Sequence, residues 1–162
     1  MTEEAPRLYL ITPPIADAAG FAQKFEAALT AGDVACVLLR SAAGDPAAAK
    51  KVARALVPLA QQHGAACLVE DPQLAVRTGA DGVHVEGSAE ALDAALASLK
   101  PDRIVGVGAL ASRDEAMTAG EADVDYLMFG GAEDPRSFAE ILDLIGWWAE
   151  IFNVPCVAYA RR

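Results

Sequence analysis

Arg40, the pair Glu70-Asp71, His84 with Glu86, and Gly130-Gly131 are the residues whose types could bind or transform a small molecule. A guanidinium such as Arg40 grips a phosphate or carboxylate through parallel N–H donors, or simply makes a surface salt bridge. Glu70 and Asp71 could serve as general acid and base, or hold a hard cation such as Mg²⁺. Asp71 also precedes Pro72, the pattern of an N-cap acid with proline at the first helical position, and the two roles are compatible. His84 lies between Val83 and Val85, so it shares one side of its strand with Gly82 and Glu86. It is either a proton-transfer group beside Glu86 or a hydrogen-bonded core residue. Gly130-Gly131 could present backbone N–H groups to an anion, or only turn the chain. Arg40 and Glu70 are the catalytic candidates. Arg40, His84, Glu86, Gly130 and Gly131 are the substrate-binding candidates, and Asp71 is the metal candidate. The only other histidine, His63, sits before Gly64 at a helix end and reads as a partner for the helix dipole.

These residues need elements to carry them, and the chain alternates short apolar runs with longer Ala-rich segments of helical period. The strand candidates are Leu8–Thr12, Val34–Leu39, Ala66–Val69, Gly82–Val85, Ile104–Gly108, Tyr126–Phe129 and Pro155–Ala160. Helices start at Asp45-Pro46 and Asp71-Pro72, and at Ser112 and Ser137, each followed three residues later by glutamate as in a capping box. Val52, Leu56 and Leu59 form one helical stripe, which Pro58 should kink or restart. Phe138, Ile141, Ile145, Trp148 and Phe152 form another, with Leu144, Trp147 and Ile151 on an adjoining face. That surface is wider than one sheet contact needs, which suits either a well-covered core helix or a subunit interface.

Seven strand–helix alternations without a hairpin signal mean repeated right-handed βαβ units. Strand starts fall roughly 25 residues apart, close to the spacing of a (β/α) TIM-type barrel. The fold class expected is therefore α/β, a barrel with seven βα units visible and the C-terminal unit missing. A seven-stranded barrel would leave two open edges, so a shortened chain, a covering partner or an open doubly wound sheet are the alternatives.

The 162 residues and 16.8 kDa suit a single domain spanning 1–162, and 54% hydrophobic residues exclude a disordered chain. The 36 alanines point to closely approaching helices. A net charge of −10 leaves no basic footprint for nucleic acid, and no apolar run is long enough to span a membrane. The N-terminus is acidic before its first apolar run and does not resemble a signal peptide. Cys36, Cys67 and Cys156 lie in apolar runs without CxxC spacing and read as reduced core thiols of a cytoplasmic protein.

One segment, Gly79-Ala80-Asp81-Gly82-Val83-His84-Val85, resembles thiamine phosphate synthase and its TenI-like thiazole-tautomerase relatives. So do Leu8-Tyr9-Leu10-Ile11-Thr12, Arg40, Val105-Gly106-Val107-Gly108, Asp125-Tyr126-Leu127-Met128-Phe129-Gly130 and Val154-Pro155-Cys156-Val157-Ala158, in that order along nearly the whole chain. The resemblance implies a barrel with its active site at the strand C-terminal ends, in a homodimer. It implies a reaction joining a pyrimidine pyrophosphate to a thiazole phosphate with Mg²⁺ and loss of pyrophosphate.

The family's site residues carry over only in part. Of a Gln-x-Arg-x-Lys pattern after the second strand, Leu38-Leu39-Arg40-Ser41-Ala42 keeps the arginine alone. The Asn-Asp pair after the third strand is Glu70-Asp71, and a second metal-binding aspartate falls on Ala89. A Ser-x-His pattern at the fifth strand falls on Gly108 and Leu110. The phosphate clamp after the sixth strand reads Gly130-Gly131-Ala132-Glu133-Asp134-Pro135, whose two acids repel phosphate. The Gly-Gly turn after the seventh strand is Ala160-Arg161. The expectation is a thiamine-metabolism barrel with a largely eroded site, binding a phosphorylated or anionic heterocycle with weak or no synthase activity. The alternative is a non-catalytic ligand-binding or regulatory barrel, homodimeric through the Phe138–Phe152 helix.

Overall fold

The computed structural model describes residues 4–42 and 44–160. The chain falls into two compact units, Met1–Gly82 and Val83–Arg162. The first holds β1 (Leu8–Ile11), α1 (Ala18–Thr30), β2 (Val34–Leu38), α2 (Pro46–Gln62), β3 (Ala66–Val69) and α3 (Pro72–Thr78). β4 (Gly82–Val85) begins at the boundary. It is followed by α4 (Ala89–Leu99), β5 (Ile104–Val107), α5 (Arg113–Glu121), β6 (Tyr126–Phe129), α6 (Phe138–Ile151) and β7 (Cys156–Ala158). Strand order follows chain order, β1-β2-β3 and then β4-β5-β6-β7. The pairings β1–β2, β2–β3, β5–β6 and β6–β7 are all parallel. This is the connectivity of a (β/α) barrel, as expected; a doubly wound sheet would reverse its strand order. Each predicted strand is present. Four of the seven are one to three residues shorter than their apolar runs, because the ends of those runs turn into loops.

In the first unit the core lies between the strands and the inward face of α2. Val52, Ala53, Leu56, Val57 and Ala60 are buried there, and Leu59 is only half-buried. Pro58 does not restart this helix, which runs unbroken to Gln62. Pro58 is exposed, as is Arg54, whose carbonyl loses its helical donor there, so water can satisfy that oxygen. Meanwhile the buried face packs without interruption.

The predicted helix starts are all observed. Asp45 Oδ1 accepts from Ala47 N–H at 3.0 Å, and Asp71 Oδ1 accepts from Gln73 N–H at 2.9 Å. Ser137 and Glu140 close a reciprocal capping box. At α5 the box is only half formed: Ser112 Oγ accepts from Glu115 N–H, while Glu115 Oε2 reaches past it to Ala111 N–H.

Two aspartates outside the predicted set stitch strands together at their N-terminal ends. Asp81 Oδ2 accepts from the Cys67 N–H of β3 at 2.7 Å, and its own N–H donates to Cys67 O at 2.8 Å. Asp125 repeats both bonds on Val105 of β5, each at 2.8 Å, and also holds Lys100 Nζ at 3.0 Å.

In the second unit Trp148 is fully buried. Its ring stacks on Phe152 at 4.0 Å, and its Nε1–H donates to Val154 O at 2.7 Å. Only part of the predicted α6 stripe faces inward. Ile141 and Trp148 are buried, Ile145 and Phe152 half-buried, and Phe138 is 51% exposed. Leu142 and Ile151 are exposed as well, at 48% and 61%.

Candidate functional site

Within the first unit, Arg40, two residues past β2, is held in place by the segment after β1. Thr12, 6% exposed, accepts the Arg40 N–H on its Oγ1 at 2.9 Å. Ile15 N–H donates to Arg40 O at 3.0 Å, Ala42 N–H donates to Ile15 O at 2.9 Å, and Ile15 bridges Ser41 in parallel. The Arg40 backbone is thus fixed on both sides while its guanidinium reaches outward. There its Nε lies 3.7 Å from Glu70 Oε1, with both side chains about half exposed. That distance makes an ion pair without a hydrogen bond, and such exposed pairs contribute about 0–1 kcal/mol. A phosphate or carboxylate offering real hydrogen bonds can therefore displace Glu70 at little cost.

Sequence reasoning gave Arg40 and Glu70 as separate candidates; the fold brings them together. Asp71 is exposed and caps α3. Among the described residues, no three His, Cys, Asp or Glu side chains gather to hold a metal. The donor set offered for Mg²⁺ is thus a single carboxylate, which suffices only when a ligand's phosphates supply further oxygens.

In the second unit His84 is 3% exposed and joins two partners. Its Nδ1 lies 2.7 Å from the Tyr126 hydroxyl and its Nε2 lies 3.2 Å from Glu86 Oε1. The strand alternation places Glu86 on the same side as His84, as read from the sequence. The carboxylate itself is 56% exposed. Two glycines of the fifth strand and its end make room. A side chain at Gly106 would collide with the Tyr126 ring, and a Cβ on Gly108 would sit 2.8 Å from His84 Nε2. Gly108 is where the family's serine would fall.

The loop after β6 differs from its sequence reading. The expected repulsive acids are present, but Asp134 is paired with Arg136, a residue that the sequence reading missed. Arg136 donates from Nε and from Nη2 to the two Asp134 oxygens at 3.0 and 2.7 Å, and from Nη2 to Leu110 O at 2.7 Å. The hydrogen bonds that Arg136 donates to Asp134 are the main cause that lifts the Arg136 pKa further. The signal was the Asp134-Pro135-Arg136 spacing, which lets one side chain double back on the other. This pair lies with Gly130, Gly131, Phe138, Ile141 and Tyr159 around a small open cleft. Gly130 has φ +89°, and a Cβ there would sit 3.1 Å from Tyr159 Cβ, so the turn calls for glycine. Leu110, where the family's histidine would fall, is buried, and Ala89 is the first residue of α4 behind its Ser88 cap. Ala160 is exposed, and Arg161 lies outside the described residues.

His63 caps the C-terminal end of α2 and also lies 3.3 Å from Glu26 Oε1. The three cysteines are free thiols. Burial, with the nearby Asp81 charge adding to it, pushes the Cys36 thiol up to about 12. Burial does the same to Cys67, again to about 12, with Cys36 and Asp81 adding smaller pushes. Neither thiol is a nucleophile at neutral pH. No helix among the described residues is long and apolar enough to cross a membrane.

A family model described as thiamine monophosphate synthase matches residues 8–160. The chain is 43% identical to a thiamine-phosphate synthase of Rhodospirillum centenum over 158 residues, covering 94% of this chain and 76% of that protein. It is 40% identical to one of Hyphomonas neptunium, covering 94% of this chain and 73% of the relative. Among solved structures, a thiamine phosphate pyrophosphorylase from Pyrococcus furiosus superposes with a TM-score of 0.77 at 20% identity. It covers 96% of this chain and 75% of that one, which shows the TIM-type fold. The chain belongs to the thiamine monophosphate synthase family.

Proposed function

We propose that this chain binds a phosphorylated heterocycle of the kind its family joins, through Arg40 at the end of β2, and catalyses the pyrophosphate-releasing condensation only weakly. The observation that carries this reading is the Arg40–Glu70 pair: a backbone-fixed guanidinium held by a loose ion pair at 3.7 Å. An incoming phosphate replaces Glu70, which swings into solvent. Catalysis is the harder part. Charge must be neutralised where the leaving group departs, and removing one preorganised donor costs about 10²–10³ in rate. Here Leu38 and Ala42 stand where the family carries a polar and a cationic donor. Arg136, the cation nearest the β6 loop, already carries Asp134. When Mg²⁺ is bound, Asp71 and the ligand's own phosphates would hold it, and it would offset the pyrophosphate charge. The exposed Phe138 and Leu142, one turn apart on α6, support self-association through that helix; light scattering should then give twice the chain mass, which Leu142→Glu should halve.

The test compares this protein with the Rhodospirillum centenum relative for pyrophosphate release from the pyrimidine pyrophosphate and thiazole phosphate. We expect saturable binding of the thiazole phosphate, turnover at least about a hundredfold below the relative, and loss of binding in Arg40→Ala. Turnover equal to the relative's overturns the weak-catalysis reading, and undiminished binding by Arg40→Ala overturns the assignment of Arg40.

A further inference from the structure

Tyr126, His84 and Glu86 lie in a row that runs from the interior to the surface. The phenol belongs to a residue 8% exposed, the imidazole to one 3% exposed, and the carboxylate is 56% exposed. A carboxylate can only accept, so the 3.2 Å contact makes His84 Nε2 a donor to Glu86. In the neutral ring Nδ1 is then the acceptor, and the Tyr126 hydroxyl donates to it at 2.7 Å. The two rings lie nearly parallel, at 11°. The fit depends on glycine. A Cβ at Gly108 would sit 2.8 Å from Nε2 and 3.3 Å from Glu86 Oε1, so the same vacancy admits both members.

We propose that these three residues form a general acid–base site, in which Glu86 is the proton acceptor at the surface and His84 and Tyr126 are positioning residues behind it. The step moves a single proton. A ligand's X–H bond breaks, an O–H bond forms on Glu86, and the electron pair stays on X; the same proton returns in the reverse step. His84 Nε2–H, backed by the phenol, holds the carboxylate in a fixed orientation throughout. Because the accepting atom is anionic, the ligand class is a neutral or cationic molecule with an exchangeable proton, in contrast to the phosphate that suits Arg40. Glu86 is thereby assigned away from binding an anion.

The experiment is nitrogen NMR on the full chain, which distinguishes protonated from bare ring nitrogens and measures exchange of the His84 ring proton with water. Wild type should carry its proton on Nε2 and leave Nδ1 bare. Exchange should be fast for so buried a group, because the carboxylate passes the proton to solvent. Glu86→Gln keeps an acceptor but removes the base. It should preserve the tautomer and slow exchange by about a hundredfold. Tyr126→Phe should shift the Nδ1 resonance and leave the exchange rate within a few-fold. A proton on Nδ1 in wild type, or exchange unchanged by Glu86→Gln, overturns the site. Titration with imidazole should shift the His84 signals while acetate does not. A response to acetate, or to neither, overturns the ligand class. None of these readouts depends on synthase turnover, so the acid–base site and the proposed weak condensation stand or fall separately.

Discussion

Asp81 and Asp71 are both aspartates beside a strand end, yet they do different physical work. Asp71 caps an exposed helix start, and Asp71→Ala should cost about 1 kcal/mol, as exposed N-caps usually do. Asp81 accepts a part-buried strand N–H at 2.7 Å, so Asp81→Ala leaves that donor without an acceptor and should cost about 1–3 kcal/mol. Urea denaturation of the two variants checks the order; an Asp81 variant no weaker than the Asp71 variant would refute the stitching role. Cys36 and Cys67 give a pH prediction. Their thiols, ordinarily near 9, are held protonated to about 12 by burial. The folded chain therefore keeps protons that the unfolded chain releases, and stability is complete below pH 9 and falls as pH rises from about 9 to about 12. In Cys67→Ala the slope of unfolding free energy against pH over that window should become shallower. At this scale the sequence was legible for contacts between neighbours in the chain, such as Asp71 with its helix or His84 with Glu86. It was not legible for Arg136 on Leu110 or Tyr126 on His84, which depend on which strands the fold brings side by side.

At the scale of elements, strands and caps could be read because their signals are local: apolar runs bounded by turns, and Asp-Pro or Ser-x-x-Glu at helix starts. Pro58 does not restart its helix, because there a local rule met a tertiary context. The proline faces water, and five buried residues anchor the other side of α2. The backbone cost is still present, so Pro58→Ala should restore the missing donor to Arg54 O and stabilise the protein by about 1–3 kcal/mol, visible as a higher melting temperature. Loss of stability on that change would mean that the ring packs against something. α6 makes the opposite case. Trp148 is fully buried, stacked on Phe152 and bonded to Val154 O, so Trp148→Ala should cost about 3–5 kcal/mol in denaturant unfolding.

For the whole molecule, 23 acidic residues against 13 basic ones dominate. Like charges repel more in the compact chain than in the expanded one. Raising NaCl from about 0.01 M to about 0.1 M shortens the screening length from about 30 Å to about 10 Å, so the melting temperature should rise. A fall would show that attractive pairs such as Arg7–Asp33 outweigh the net repulsion. An aspartate precedes every second strand: Asp33 before β2, Asp81 before β4 and Asp125 before β6. Asp81 and Asp125 make the same paired bonds, while Asp33 receives Leu8 N–H on its carbonyl and Arg7 on its side chain. These clamps sit where strands begin, whereas Arg40, Glu70 and the Gly130 loop sit where strands end. Selection can therefore act on the two ends separately. Substitutions at the exits can change what the protein binds while its entrances keep it foldable.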